Sequence, residues 1–384
     1  MSTGAVLALA CGAFLAYLNG ANDVSKGIAT LAGSGVTNYK RAILWGAVWT
    51  GAGGLASAIF SQAMIGTFGA GLLTAGVTPA LDAALAALLG AAACVGIATL
   101  LGLPVSTTHA IVGSVAGVYS FSLGFGGVNW AGVAGKIVLP LLVSPFLALL
   151  LVVATLRLER RVTSHFEEAP ECLCVDVESG ELPGELVVEG SSLAISQAAI
   201  PRGGMEIAVG SEEACGRDRP SALRVTSTQL HWLTSGATSF ARGLNDTPKI
   251  VALVLTTVAL SPRASIGKGW VFAMVAMGIV AGSWVAGKKV TTVLAEKVTR
   301  MDHTEGFIAN LVTAGLVGPG AALGLPMSTT HVSSGAIFGV GIPKRAGLNR
   351  KTVESMILAW LLTIPLAAGL GVAVLMILRL TYTS

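Results

Sequence analysis

One octapeptide occurs twice in this chain. Gly102-Leu103-Pro104-Val105-Ser106-Thr107-Thr108-His109 returns as Gly324-Leu325-Pro326-Met327-Ser328-Thr329-Thr330-His331, offset by 222 residues with seven of eight positions identical. A second motif keeps register: Asn22-Asp23 returns as Asn245-Asp246, offset by 223, and Pro145 and Pro365 recur late in each half. Motifs held in register across half a chain mean a duplicated architecture. Whatever the two copies build, they build as a pair.

Composition decides which solvent they fold in. Of 384 residues, 53% are hydrophobic and only 11% charged, where soluble domains carry about 25% charged residues. So apolar a chain cannot cover its own surface with polar groups, and its 49 glycines suit membrane helices. An all-α polytopic membrane protein follows. A disordered chain, a disulfide-stapled secreted domain and a nucleic-acid binder are excluded.

Apolar stretches run at about 5–33, 42–66, 81–101, 105–121, 132–157, 226–260, 269–287, 305–323, 327–341 and 353–379. A spanning helix needs about 20 apolar residues. Segments 105–121 and 327–341 are short, and each follows a Gly-Leu-Pro break. They read as half-helices or re-entrant segments, which a membrane tolerates where they line a cavity or are buried in protein.

Charge divides the chain further. Residues 157–230 hold seven Arg against thirteen Asp or Glu, a balance of −6 inside a chain of net charge +4. This gives repeat 1 over 1–157, an acidic soluble insertion over 158–225, and repeat 2 over 226–384. Alternating polar and apolar residues at Cys172–Val177 and Glu185–Glu189, with Pro183-Gly184 between, suggest a small, partly β-structured loop domain or a flexible linker. Basic clusters at Lys40 and Arg41, at Arg157, Arg160 and Arg161, at Lys288, Lys289, Lys297 and Arg300, and at Lys344, Arg345, Arg350 and Lys351 mark one side. Lys136, Arg263, Lys268 and Arg379 mark the other, a count of thirteen against four. The positive-inside rule makes the clustered side and the insertion cytoplasmic and leaves both termini outside. Each half then crosses an odd number of times, so the halves are expected as inverted-topology repeats with broken helices meeting near the midplane, as in secondary transporters.

The motifs carry the chemistry. Proline starting a half-helix gives up no needed donor, and Ser or Thr nearby caps free amides. Such an N-terminus is a ready anion site, to which Ser106, Thr107, Thr108 and Ser328, Thr329, Thr330 add hydroxyl donors. The plainer alternative is that these hydroxyls only satisfy kinked helices. Asp23 and Asp246 are carboxylates inside apolar segments, costing about 2.5–3.5 kcal/mol on insertion scales, and so are functional candidates. With Asn22 and Asn245 they offer hard oxygen ligands to a cation, and Gly20, Gly27, Gly243 and Pro248 favour local unwinding that would add carbonyls. The alternative is an intrahelical ion pair with Lys26 and Lys249, each three residues on. An oxyanion buried beside two aspartates needs countercharge, which makes anion and cation binding mutually dependent. The reading is cation-coupled oxyanion uptake by a carrier, not an enzyme.

Gly20-Ala21-Asn22-Asp23-Val24 and the paired Gly-Leu-Pro-X-Ser-Thr-Thr-His boxes resemble the inorganic phosphate transporter (PiT) family over both membrane halves, roughly 300 residues. The resemblance implies phosphate symport driven by sodium or, in some members, protons, in a multi-pass cell membrane protein, and leaves a homodimer open. It implies no cofactor beyond the coupling ion. Carried over by motif position, Asn22, Asp23, Asn245 and Asp246 would be sodium ligands. Ser106, Thr107, Thr108, Ser328, Thr329 and Thr330 would hold phosphate with Asn22 and Asn245. Two departures stand out: the family's Gly-Ala-Asn-Asp-Val-Ala-Asn continues here as Val24-Ser25-Lys26, and the second copy reads Gly243-Leu244-Asn245-Asp246-Thr247-Pro248-Lys249.

Lesser features take plainer readings. His109 and His331 are proton relays or, more simply, partners of their own half-helices. Cys172, Cys174 and Cys215 fall short of a four-ligand metal site, and Asp82 favours a helix N-terminus. A proton-coupled permease, a general oxyanion (sulfate-like) permease, an anion channel and an intramembrane hydrolase using Ser106 or Ser328 are the rivals. Paired buried aspartates argue against an anion channel, and a mirrored duplicate of the serine box argues against the hydrolase.

Overall fold

The computed structural model describes residues 2–164, 172–177, 205–210, 223–261, 266–344 and 347–383. Arg263, Arg345, Cys215, Pro183-Gly184 and the Glu185–Glu189 stretch lie outside the described residues. Repeat 1 is built from α1 (Thr3–Asp23), α2 (Ser25–Gly33), α3 (Tyr39–Phe60), α4 (Gln62–Phe68), α5 (Leu81–Leu101), α6 (Thr107–Leu123), α7 (Trp130–Gly132) and α8 (Leu139–Thr163), with a π-helical stretch Val133–Val138 joining the last two. Repeat 2 is built from α9 (Ser227–Ala259), α10 (Lys268–Ala286), α11 (Lys288–Glu296), α12 (His303–Ala322), α13 (Thr329–Gly341) and α14 (Arg350–Thr383). Among the described residues, six helical segments are long and apolar enough to cross a membrane: Thr3–Gly33, Tyr39–Phe60, Leu81–Leu101, Trp130–Thr163, Lys268–Ala286 and Arg350–Thr381. The protein is a polytopic membrane protein whose membrane-spanning part is all-α.

Residues Met1–Arg157 and His231–Ser384 form one compact unit, and Leu158–Leu230 another. The smaller unit contains a three-stranded antiparallel sheet in the order β2-β1-β3, with β1 at Cys172–Val177, β2 at Met205–Gly210 and β3 at Leu223–Thr226. Cys172 pairs with Gly210 on one side and Thr226 on the other.

In the membrane unit, each Gly-Leu-Pro sequence makes the same turn. Gly102 and Gly324 sit at φ +74 and +72, a left-handed conformation open to glycine at little cost. Leu103 N then donates to Ala98 O, and Leu325 N to Gly320 O, both at 2.9 Å. These are Schellman closures that end α5 and α12 and let the chain restart as a new helix. The restarts, α6 with 17 residues and α13 with 13, are about 25 and 20 Å long at 1.5 Å per residue, short of a hydrocarbon core of about 30 Å. Half-helices are what the sequence predicts there.

The two repeats interlock by exchange. A Cβ on Gly20 of α1 would lie 2.0 Å from Ile279 O of α10, and one on the equivalent Gly243 of α9 would lie 2.2 Å from Thr50 O of α3. Likewise Gly113 of α6 abuts Ile364 O of α14 at 2.4 Å, and Gly335 of α13 abuts Pro145 O of α8 at 2.3 Å. In each case an element of one repeat packs backbone to backbone on an element of the other, at a small residue as membrane helix packing requires. Gly20 corresponds to Gly243, and Gly113 to Gly335. The contacts therefore come in pairs related by swapping the repeats.

The helix breaks differ from expectation in one respect. In repeat 1 the helix is interrupted at Val24, between α1 and α2. In repeat 2, α9 runs unbroken from Ser227 to Ala259 through Asn245, Asp246 and Pro248. The unwinding expected around Gly243 and Pro248 is absent. Gly243 is used for the close approach to α3 rather than for a bend, and Pro248 removes one donor without ending a helix that is packed on its neighbours.

Candidate functional site

The N-termini of the two half-helices meet. Ser106 caps α6 by accepting from His109 N, and Ser328 caps α13 by accepting from His331 N, both at 3.2 Å. Ser328 Oγ donates to Ser106 Oγ at 2.9 Å. The first-turn amides of any helix lack an intrahelical carbonyl, so two sets of such donors, with two positive dipole ends, converge here. Thr107, Thr108, Thr329 and Thr330 are all buried in this first turn. Thr107 Oγ1 donates to Asp23 Oδ2 at 3.1 Å, Thr108 Oγ1 accepts from Lys249 Nζ at 2.7 Å, and Thr330 Oγ1 donates to Val105 O at 2.7 Å. The hydroxyls of Ser106, Thr107, Thr108, Ser328 and Thr330 thus bond at or around this junction, and all six box residues are at most 4% exposed, which makes the arrangement occluded.

Asn22 and Asn245 hold the boxes in place. Asn22 Nδ2 donates to Thr99 Oγ1 and Leu103 O, both at 3.0 Å, while its Oδ1 accepts from Val105 N at 3.2 Å and Lys26 Nζ at 2.9 Å. Asn245 Nδ2 donates to Met327 O and Asp246 Oδ1 at 2.8 Å, and its Oδ1 accepts from Met327 N at 3.3 Å. Val105 and Met327 are equivalent positions, so each asparagine clamps the residue just after the proline of its own box. These bonds engage the Asn22 amide fully, with two donated and two accepted, while Asn245 Oδ1 accepts only from Met327 N and keeps acceptor capacity. In this structure both asparagines position their boxes.

The aspartates are ion-paired. Lys26 Nζ lies 2.7 Å from Asp23 Oδ1, and Lys249 Nζ lies 3.3 Å from Asp246 Oδ1. The i,i+3 pairing that the spacing left open is formed in both repeats. Each ammonium has further oxygen partners. Lys26 donates to Asn22 O and Asn22 Oδ1 at 2.9 Å, and Lys249 donates to Thr108 Oγ1 at 2.7 Å and Met327 O at 3.0 Å.

Two further buried groups complete the site, and sequence reasoning passed over both. Asn19 Nδ2 donates to Asp23 Oδ2 at 2.9 Å, to Thr107 Oγ1 at 3.0 Å and to Asp246 Oδ2 at 3.4 Å, so it bridges the two carboxylates. Its Oδ1 is buried with no hydrogen-bond partner among the described residues. Arg242 is 1% exposed and donates from Nη2 to Thr50 Oγ1 at 2.8 Å and Ser283 Oγ at 3.4 Å. Its Nη1 is likewise buried without a partner among the described residues. A signal for both was available. Asn19, Asn22, Asp23 and Lys26 are spaced i, i+3, i+4, i+7, and so are Arg242, Asn245, Asp246 and Lys249. That spacing is one helix face, here polar and buried, and extending the repeat by three residues reaches its first member.

The histidines flank the junction. His331 Nδ1 is 2.5 Å from Ser328 Oγ, whereas His109 Nδ1 has no partner among the described residues. Their rings stack at 4.6 Å, and His331 also packs 4.1 Å from Trp360. Both line a cavity of about 470 Å³ whose other walls, including Pro145, Phe146, Phe338 and Trp360, are apolar. Asp82 sits in the first turn of α5, accepting from Ala83 N at 2.8 Å and pairing with Arg379 at 2.9 Å.

Known proteins resemble this chain over almost its whole length. It is 28% identical to a Pyrococcus horikoshii protein that bears a provisional phosphate-permease name, over 97% of this chain and 98% of that one. It is 29% identical to the chloroplastic inorganic phosphate transporter 2-1 of Arabidopsis thaliana, over 94% of this chain and 70% of that one. A solved structure described as the sodium-dependent phosphate transporter shares the fold, with a TM-score of 0.78 at 24% identity, covering 99% of this chain and all of that one. The profile of the phosphate transporter family, PHO4, matches residues 19–371, a stretch that holds both boxes and all eight residues of the buried polar faces; the chain belongs to the phosphate transporter family.

Proposed function

We propose that this protein imports inorganic phosphate across a cell membrane by symport with sodium ions. One observation carries the reading: two half-helix N-termini, capped by serines 2.9 Å apart, face a buried pair of aspartates. The N-termini and box hydroxyls suit a tetrahedral oxyanion. Phosphate would enter by parting Ser106 from Ser328, so that first-turn amides of both repeats reach one anion. Asp23 Oδ2 and Asp246 Oδ2, bridged here by Asn19 Nδ2, are the oxygens suited to a hard cation. Bound side by side, anion and cation relieve each other's burial cost, which is the physical basis of obligatory coupling.

Alternating access would come from rocking one repeat against the other around this fixed junction. The distribution of basic residues favours a cytoplasmic 158–225 insertion with both termini outside. The test is uptake of labelled phosphate by proteoliposomes, with sodium and proton gradients imposed separately. Uptake that follows the sodium gradient supports the reading. Uptake that follows only the proton gradient replaces sodium with protons as the coupling ion, and uptake indifferent to both gradients refutes symport.

A further inference from the structure

The buried lysines go further than countercharge. Each ammonium is held as a metal cation would be. Lys26 Nζ has a carboxylate oxygen at 2.7 Å, a backbone carbonyl at 2.9 Å and an amide oxygen at 2.9 Å. Lys249 Nζ has a hydroxyl at 2.7 Å, a backbone carbonyl at 3.0 Å and a carboxylate oxygen at 3.3 Å. Both sit at equivalent positions of the repeats, and both are fully buried. Carboxylate, carbonyl and neutral oxygen donors converging in three are also what an alkali cation takes from a protein.

We infer that Lys26 and Lys249 are tethered cations that occupy two coupling-ion positions and thereby lower the number of sodium ions carried with each phosphate. The inference rests on the cation-coupled phosphate reading above and specifies its stoichiometry. Charge bookkeeping makes it quantitative. Among the described residues, the buried charged side chains of the membrane unit are Asp23, Lys26, Arg242, Asp246, Lys249 and Glu305. Glu305 lies apart, paired with Lys344 at 2.5 Å. The remaining five give three positive charges against two negative, a net of +1. Hydrogen phosphate brings −2, so one mobile cation restores neutrality. Without the two lysines the same five positions would carry −1, and the same anion would call for three. A low-dielectric site does not tolerate an imbalance of two charges, so the lysines set the ion count.

Two consequences distinguish a tethered from a mobile cation. A tethered one never leaves with the substrate, so it contributes nothing to the driving force. It also holds each aspartate neutralised when the carrier is empty, so the unloaded protein can return across its conformational cycle without a bound ion. This chain would therefore trade concentrating power for uptake at low sodium.

The experiment measures labelled sodium and labelled phosphate entering the same proteoliposomes at zero membrane potential. The parent protein should carry about one sodium ion per phosphate, Lys26→Asn and Lys249→Asn about two each, and the double variant about three, because every charge removed must be replaced. Lys26→Arg, which keeps the charge, should stay at about one. Should an asparagine variant transport nothing, its purified form should gain thermal stability on adding sodium chloride over potassium chloride, where the parent gains little. A parent ratio of two or more, asparagine variants with the parent ratio, or variants that sodium neither drives nor stabilises would overturn the inference. The underlying reading fails separately. A parent that takes up phosphate without sodium refutes sodium coupling, and sodium dependence newly acquired by the asparagine variants would then still uphold the tethered cations.

Discussion

Asp23→Asn is the most informative single perturbation, because the structure gives opposite forecasts for it alone and in combination. Asp23 accepts from Lys26 at 2.7 Å, Asn19 at 2.9 Å and Thr107 at 3.1 Å, all buried. The amide keeps the shape and loses the charge. Lys26 retains Asn22 O and Asn22 Oδ1 but loses the carboxylate it is paired with. Removing one member of a buried pair costs about 3–5 kcal/mol. That is a large share of a folding stability of about 5–15 kcal/mol, so the single variant should unfold at clearly lower temperature as well as lose coupled uptake. Adding Lys26→Asn removes the stranded charge and should restore most of that stability while leaving the site without its first aspartate. The assay is a double-mutant cycle on thermal unfolding of purified protein in one detergent, with phosphate uptake measured in parallel. The coupling energy between positions 23 and 26 should be at least about 2 kcal/mol, below the full pair cost because Asn22 still holds the ammonium. A coupling below about 0.5 kcal/mol, with each single variant as stable as the parent, would mean that the two groups are not a buried ion pair, and the charge count built on them would fall with it.

Three other outcomes follow from the same geometry. Alanine at Thr107 or Thr329 removes a hydroxyl from the half-helix junction, and a hydrogen bond to a charged group is worth about 1.5–3 kcal/mol, so phosphate affinity should drop roughly ten- to hundredfold; unchanged affinity in both variants would leave the hydroxyls a purely structural part. Gly335→Leu drives a side chain into Pro145 O, only 2.3 Å from where its Cβ would stand, and should cost upward of about 1–3 kcal/mol with loss of folded yield, whereas Gly315→Ala, which meets nothing within 4 Å, should be silent in the same expression and melting assays. Excess unlabelled sulfate should compete with labelled phosphate at least about tenfold more weakly than unlabelled phosphate does, because hydrogen phosphate can donate its P–OH to Asp23 or Asp246 and sulfate has no proton to offer; equal competition would point to a general oxyanion permease.

How much of this was legible in the sequence depends on whether the signal was carried by repetition. The half-helices were legible because Gly-Leu-Pro is a local instruction: a left-handed glycine closes one helix and a proline opens the next, whatever surrounds them. The same holds for Ser106 and Ser328 as caps, since capping is decided within four residues. What sequence could not supply was which side chains would use up their hydrogen bonds on one another. Asn22 belongs to a motif and reads as a ligand, yet its amide is fully engaged by Thr99, Leu103, Val105 and Lys26, three of them set by how α5 and α6 pack against α1. The unwinding assigned to Gly243 failed for a related reason. A glycine is equally an invitation to bend and a site of close approach, and only the neighbouring Thr50 carbonyl, 2.2 Å from its absent Cβ, decides between them.

The least legible feature is the one that breaks the repeat. Asn19 and Arg242 occupy the same position of the two buried polar faces, four residues before the aspartates, but one is a neutral bridge and the other a full charge. A strictly symmetric site would carry either two arginines or none, and with both lysines its fixed charge would be +2 or 0. The observed mixture gives +1. An even fixed charge would pair with hydrogen phosphate either alone, uncoupled to any ion, or with two mobile cations. The odd value leaves the dianion one charge short of neutrality, so that phosphate and a single cation are each incomplete without the other. On the proposed charge count the imperfect duplication at this position sets the coupled cations at one, rather than none or two, and exchanging the two residues between repeats, Asn19→Arg with Arg242→Asn, would preserve that count while moving the cation-facing bridge from one half of the chain to the other.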